Sequence, residues 1–125
     1  MIKFLSFDYQ NQTIHDSLIK SIEKVLLSSN YVLGKNVSDF EDKFSKINQI
    51  KYSVGVGSGL DALIISLKAL GVGKGDEVII ASNAYIASWL SVSNVGAKII
   101  AVEPDTDTFN IDVNKIEEKV TSKTK

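Results

Sequence analysis

Cysteine is absent from the 125 residues. Disulfide staples, thiolate nucleophiles and Cys-based metal sites are therefore excluded, and no metal-ligand set is assigned. A basic excess is missing too. The formal net charge is −1, which argues against nucleic acid or an anionic membrane surface as a partner. No apolar run approaches the roughly 20 residues of a membrane-spanning helix. Met1-Ile2-Lys3-Phe4-Leu5-Ser6-Phe7-Asp8 does not read as a signal peptide, because its apolar run is short and broken by Ser6 and Asp8. A cytoplasmic protein is the expectation. Internal repeats and low-complexity segments are also lacking. What remains is 44% hydrophobic and 23% charged, the balance of a folded chain, with length for one domain of ordinary size.

The organising stretch is Val54-Gly55-Val56-Gly57-Ser58-Gly59-Leu60-Asp61-Ala62-Leu63. Tyr52 to Val56 alternates as a short strand would. Ala62 to Leu70 is rich in Ala and Leu, which favour helix. Between them, Gly57 and Gly59 remove side chains where the backbone must bend. A helix starting there points unpaired N–H groups and the positive end of its dipole at whatever lies in front, a place suited to phosphate. A plain tight turn explains the same glycines. Two familiar anion loops do not fit. The dinucleotide pattern needs a glycine where Leu60 stands, and the only Gly73-Lys74 pair is followed by Gly75 rather than Ser or Thr.

Along the chain, Ile14, Leu18, Ile22 and Leu26, widened by Ile19 and Val25, predict a first helix over 13–29. Tyr31-Val32-Leu33-Gly34 is an apolar loop, either a partner surface or folded back on the core. Ser38-Asp39-Phe40-Glu41 reads as a capping box, with Ser38 as N-cap, opening a second helix with Phe40, Phe44 and Ile47 on one face. Lys43 and Lys46 lie off that face, on the solvated side.

Three strand signals then alternate with two helices: strand 52–56, helix 58–70, strand 77–81, helix 83–95 and strand 97–102. Gly71 and Gly96 close the two helices, Gly71 as a left-handed cap. Gly73-Lys74-Gly75-Asp76 and Pro104-Asp105-Thr106-Asp107-Thr108 are turns. Glu77-Val78-Ile79-Ile80-Ala81 is apolar enough for burial on both faces. Asp112 caps a last helix bearing Val113, Ile116 and Val120. The alternation predicts an α/β fold with helices around a mainly parallel sheet.

Ligands of such sheets bind outside the carboxyl ends of the strands. The segments leaving strands there are Gly57-Ser58-Gly59-Leu60-Asp61, Ser82-Asn83-Ala84-Tyr85 and Glu103-Pro104-Asp105. The first offers backbone donors and the second an aromatic ring, Tyr85. Together they suit a flat phosphorylated cofactor. Packing is the plain alternative for Tyr85 and the expected role of Trp89.

These residues resemble the N-terminal part of the DegT/DnrJ/EryC1/StrS family of sugar aminotransferases. The match runs through Phe40-Glu41, Ser58-Gly59-Leu60-Asp61-Ala62-Leu63, Leu70-Gly71-Val72-Gly73 and Gly75-Asp76-Glu77-Val78-Ile79. It continues through Ser82-Asn83-Ala84-Tyr85-Ile86-Ala87, Gly96-Ala97, Asn110-Ile111-Asp112 and Thr121-Ser122-Lys123-Thr124-Lys125. Each piece is weak alone, but their order and spacing are specific. The resemblance implies the α/β fold of the pyridoxal-phosphate (PLP) transferases, aspartate aminotransferase type (fold type I). Residues 1–50 would be an N-terminal helical segment and 51–125 the start of the large PLP-binding domain.

The resemblance also implies roles. Backbone amides of Gly59, Leu60 and Asp61 would hold the PLP phosphate, and Tyr85 would stack on the pyridine ring. The implied substrate is a nucleotide-linked keto-sugar, with glutamate as amino donor and an active site at a homodimer interface. The wording around Gly59-Leu60-Asp61, Tyr85-Ile86-Ala87-Ser88-Trp89-Leu90 and Val102-Glu103-Pro104 resembles the branch acting on dTDP-3-keto-6-deoxyhexoses. Many relatives carry Thr at the position of Leu60; Thr is also common at the position of Ala84, so any hydroxyl contact there is lost. Transamination also needs a Schiff-base lysine and a carboxylate on the pyridinium nitrogen. In the family both follow the last motif matched. Lys68, Lys74 and Lys98 read as solvated charges, and no catalytic residue is assigned. The expectation is an N-terminal portion with half a cofactor site, inactive alone, whose uncovered apolar sheet edges predict poor solubility or pairing with another chain. Two other readings stay open: a non-catalytic α/β module binding a phosphorylated ligand or a partner, and an inactive relative with a structural role.

Overall fold

The computed structural model describes residues 3–125; Met1 and Ile2, part of the N-terminal stretch read above, lie outside the described residues. The chain divides into two compact units, residues 1–55 and 56–125. Among the described residues no helix is long and apolar enough to cross a membrane.

The first unit holds α1 (Asp8–Ser28) and α2 (Lys35–Ile47). α1 begins earlier than its apolar stripe predicts. Asp8 sits in its first turn, its N–H donates to Ser6 Oγ at 3.2 Å, and its carboxylate pairs with Lys3 at 2.7 Å. These local polar contacts carry no 3.6-residue period. α1 ends where Ser29 turns left-handed at φ 53°. The Tyr31-Val32-Leu33 loop is exposed, with the Tyr31 hydroxyl donating to Leu26 O at 3.2 Å.

The capping box predicted at Ser38 is not formed. α2 starts at Lys35 behind Gly34, so Ser38 lies inside the first turn and donates to Lys35 O. Lys35 pairs instead with Asp39 one turn on, at 2.7 Å. Glu41 is used elsewhere: its Oε1 accepts the Gly55 N–H at 2.6 Å, while Ser53 Oγ donates to Glu41 O at 2.7 Å and lies 3.1 Å from Ser45 Oγ. These bonds tie the segment after α2 back along the helix. They also explain a second difference. Residues 52–56, predicted as a strand, form no ladder among the described residues. A strand exists only through its neighbour, and here the segment's contacts run to α2, through the Gly55 N–H on the Glu41 carboxylate and the Ser53 hydroxyl on Glu41 O.

The second unit holds α3 (Gly59–Ala69), β1 (Glu77–Ala81), α4 (Ile86–Asn94) and β2 (Lys98–Val102). β1 and β2 pair in parallel, from Glu77 opposite Lys98 to Ala81 opposite Val102. Parallel pairing needs a crossover, and α4 supplies it. α4 packs on both strands and α3 packs on α4. The small core centres on Val92 of α4 and Val102 of β2, 2% and 1% exposed. Gly71 and Gly96 follow α3 and α4 at φ 74° and 79°, a conformation a Cβ disfavours. β1 is only half-buried beyond Glu77, contrary to the expectation of burial on both faces. Helix packing on the strands comes from α4. The last predicted helix is two 3-10 turns, Val113–Lys115 and Glu117–Lys119. Asp112 caps the first by accepting the Asn114 N–H at 3.0 Å. Val113 and Val120 stay exposed, so burial does not drive a longer α-helix here.

Glu77 is a buried junction, 6% exposed. Its carboxylate accepts from Thr121 Oγ1 at 2.6 Å and from Lys98 Nζ at 3.1 Å. Its N–H donates to Lys123 O at 2.8 Å and its carbonyl accepts from Lys125 N at 3.0 Å, so Thr124 forms a parallel bridge on the edge of β1 away from β2. The Thr121 hydrogen bond first, then the Lys98 ammonium, hold the Glu77 carboxyl below the ordinary carboxylate range. A group with a depressed folded-state pKa stabilises fully above the unfolded value, and that stabilisation is lost as pH falls through the folded value. The thermal midpoint is therefore expected to drop on acidification below about pH 4. Glu77→Gln should lower the midpoint at pH 7 and flatten this acid limb; an unchanged acid limb would show that other carboxylates govern it.

Candidate functional site: a cleft between two helix starts

α3 begins because Ser58 is extended, at φ −162° and ψ 167°, and its Oγ accepts the Asp61 N–H at 3.1 Å. The same hydroxyl donates to Asp61 Oδ2 at 2.9 Å. Ser58 thus caps α3 as Ser38 does not cap α2, and the Asp61 carboxylate three positions on accepts from the capping hydroxyl rather than from the Ser58 backbone N–H that a full capping box would use. That pattern was present in Ser58-Gly59-Leu60-Asp61 and is the signal by which Ser58 could have been found. The cap satisfies one of the first amides of α3, and Ala62 N–H reaches Ser58 O at 3.0 Å. Gly59 and Leu60 are the remaining first-turn donors, and among the described residues neither N–H has an acceptor.

The second wall starts at the end of β1. Ser82 N–H extends the ladder to Val102 O at 2.8 Å, and Ala84 N–H closes a turn on Ala81 O at 3.0 Å. Tyr85 follows as N-cap residue of α4. Trp89 Nε1 donates to Ala84 O at 3.2 Å, which ties the half-buried indole beneath the turn in the packing role expected of it. Tyr85 is 80% exposed and lines a cleft of about 680 Å³ with Ser58, Gly59, Leu60, Leu63 and Ile86.

Of the predicted site residues, the structure brings Gly59, Leu60 and Tyr85 to one cleft. Asp61 is not among the lining residues, and its amide is engaged by Ser58. The third strand-end segment also stays apart. Asp105 Oδ1 accepts the N–H groups of Asp107 and Thr108 and the Thr108 hydroxyl, which hold its carboxyl below the ordinary range, the Thr108 backbone bond contributing most. That loop is fastened to the Ser82–Tyr85 turn through Asn83 Nδ2 and Phe109 O, 2.9 Å apart.

The cleft therefore offers two unpaired amides at a helix N-terminus, where the dipole favours an anion, an aromatic face, and apolar walls. No acidic or basic side chain lines it. Among the described residues no group of three or more His, Cys, Asp or Glu could hold a metal ion. The arrangement offers donors and an aromatic face that can bind and orient an aromatic phosphate.

The sequence model of the DegT/DnrJ/EryC1/StrS aminotransferase family matches residues 12–125. The chain belongs to this family. Among its relatives, the dTDP-3-amino-3,6-dideoxy-alpha-D-galactopyranose transaminase of Aneurinibacillus thermoaerophilus is 48% identical over 125 residues, 100% of this chain and 34% of that protein. DesV of S. venezuelae, a crystal structure, matches at a TM-score of 0.94 and 39% identity, over 99% of this chain and 33% of that one. NtdA of Bacillus subtilis, solved with bound cofactor PMP, matches at 0.91 and 34% identity, over 99% of this chain and 29% of that one. This DegT/DnrJ/EryC1/StrS chain thus spans about a third of the length of the relatives it matches. Its helices and parallel strands are those of the N-terminal part of a fold type I transferase. Within this family member, Lys68, Lys74 and Lys98 all lie off the cleft, and Lys98 is paired with Glu77 rather than simply solvated.

Proposed function

We propose that this chain is the N-terminal portion of a PLP-dependent aminotransferase acting on a nucleotide-linked keto-sugar in deoxyamino-sugar biosynthesis. The observation that carries the reading is the cleft where the unpaired Gly59 and Leu60 amides and the Tyr85 ring line a common wall. The residues fit the cofactor. Gly59 and Leu60 line the cleft, and among the described residues neither N–H is taken by an acceptor. The Gly59 and Leu60 N–H groups would hold the phosphate, and Tyr85 the pyridine ring, with Leu63 and Ile86 keeping water from the ring face. Asp61 would contribute no phosphate donor through its amide. When bound, the cofactor supplies an electron sink through which an amino group can be exchanged. Residues 3–125 supply binding and orientation only, so this portion is inactive alone.

The substrate in this proposal is a dTDP-3-keto-6-deoxyhexose, supported by the naming of the Aneurinibacillus relative as a dTDP-amino-dideoxysugar transaminase; glutamate is the donor. The protein works in the cytoplasm as a homodimer, with the exposed Tyr31-Val32-Leu33 loop reaching towards the neighbouring subunit. The test is to incubate the purified native gene product with PLP, glutamate and a dTDP-3-keto-6-deoxyhexose and read the product mass. Formation of the amino sugar is expected. A product that binds PLP but aminates no nucleotide sugar would overturn the substrate, and one that does not bind PLP would favour the non-catalytic module.

Tyr85→Ala should weaken PLP binding about two- to tenfold, the scale of one aromatic contact, while Tyr85→Phe stays near wild type. Equal binding by all three proteins, read by cofactor fluorescence, would remove Tyr85 from the site.

A further inference from the structure

We infer that Asp61 is a positioning residue for the anion seat, acting through Ser58 rather than by touching the ligand. The inference rests on the proposed cofactor site. The Ser58 hydroxyl makes both of its bonds to one residue: it donates to Asp61 Oδ2 at 2.9 Å and accepts the Asp61 N–H at 3.1 Å. Donating its proton to the carboxylate leaves an oxygen lone pair for the amide, so the two bonds support each other. The consequence is a division of donors. The Asp61 amide is consumed by the cap, and the Gly59 and Leu60 amides are left for a ligand.

The carboxylate also carries a charge that would repel a phosphate if it turned into the cleft. Two features hold it back. One is the Ser58 bond. The other is Gly57, where a Cβ would stand 2.9 Å from Asp61 Oδ2, closer than real Cβ contacts allow. The carboxylate occupies the space that a side chain at position 57 would need. Neither Gly57 nor Asp61 lines the cleft, whereas Ser58, Gly59 and Leu60 do. A side chain at position 57 would therefore have to displace the Asp61 carboxylate from its place beside Ser58.

The test compares two probes, PLP and pyridoxal, which differ only in the phosphate. Binding of each to the full-length gene product is followed by fluorescence for wild type, Asp61→Ala, Asp61→Asn and Gly57→Ala. Asp61→Ala keeps the backbone N–H but removes the carboxylate that orients the Ser58 hydroxyl; it should weaken PLP about tenfold, the scale of one lost hydrogen bond to a charged group, and change pyridoxal less than twofold. Asp61→Asn, whose amide oxygen can still accept from Ser58, should bind PLP within about threefold of wild type. Gly57→Ala, which displaces the carboxylate while keeping the residue, should show the phosphate-specific loss of Asp61→Ala. Equal weakening of both probes would mark a merely structural role and overturn the inference, as would unchanged PLP binding in Asp61→Ala. If Asp61→Ala does not fold, Gly57→Ala alone decides by the same ratio. Failure of wild type to bind PLP would instead sink the underlying site.

Discussion

Gly59→Pro is expected to lower the affinity of the native gene product for PLP by about 10- to 100-fold while leaving α3 intact. Proline at the first helical position keeps the helix because the N–H it removes has no intrahelical partner. The residue before it must be extended, and Ser58 already is, at φ −162° and ψ 167°. A Cβ at position 59 has room, since it meets no atom within 4 Å. What changes is the loss of one donor to a phosphate, worth about 1.5–3 kcal/mol for a hydrogen bond to a charged group. That energy corresponds to the fold-change given. Cofactor titration reads the affinity, and circular dichroism and the thermal midpoint read the helix. Wild-type affinity in a folded Gly59→Pro protein would mean that the phosphate is held elsewhere.

Val92→Asp is expected to abolish cooperative folding of residues 56–125. Val92 is 2% exposed, on the helix that packs against both strands. A carboxylate placed there without a partner costs several kcal/mol, against a total stability of about 5–15 kcal/mol. The milder Val92→Ala removes two methyl groups and should cost about 1–3 kcal/mol without touching the cleft. Tyr85 depends on the same packing, because α4 presents it. Val92→Asp should therefore lose cofactor binding together with its thermal transition, and Val92→Ala should keep binding. A native midpoint in Val92→Asp, read by calorimetry, would show that α4 does not rest on the sheet through this residue.

How much of this was legible in the sequence depended on how local each cause is. β1 lies where its apolar run predicted, over Glu77–Ala81, and β2 and α3 within about a residue of theirs. Gly71 and Gly96 turn left-handed where the helices end, because one residue's missing Cβ decides it. Distant partners were not legible. Nothing near 52–56 reveals that Ser53 and Gly55 are bound by Glu41, twelve and fourteen positions earlier. Glu41 was assigned to a capping box that fits the pattern equally well, and the pattern cannot tell which serine lies outside its helix. The Ser58 cap with its Asp61 partner lies in a stretch that reads from sequence as a glycine turn opening a helix with amides suited to phosphate, and the serine's part in it was not read. For the cleft, strand-end logic placed Gly59, Leu60 and Tyr85 at one edge. It did not show that Asp61 turns its amide and its carboxylate onto Ser58, since that depends on side-chain rotamers.

A crystal structure of the native gene product grown with PLP tests most directly whether the cofactor sits at the start of α3. The expected result is a phosphate within about 2.7–3.1 Å of the Gly59 and Leu60 nitrogens, with the pyridine ring against Tyr85. A phosphate bound away from both amides, or a ring that does not meet Tyr85, would contradict it.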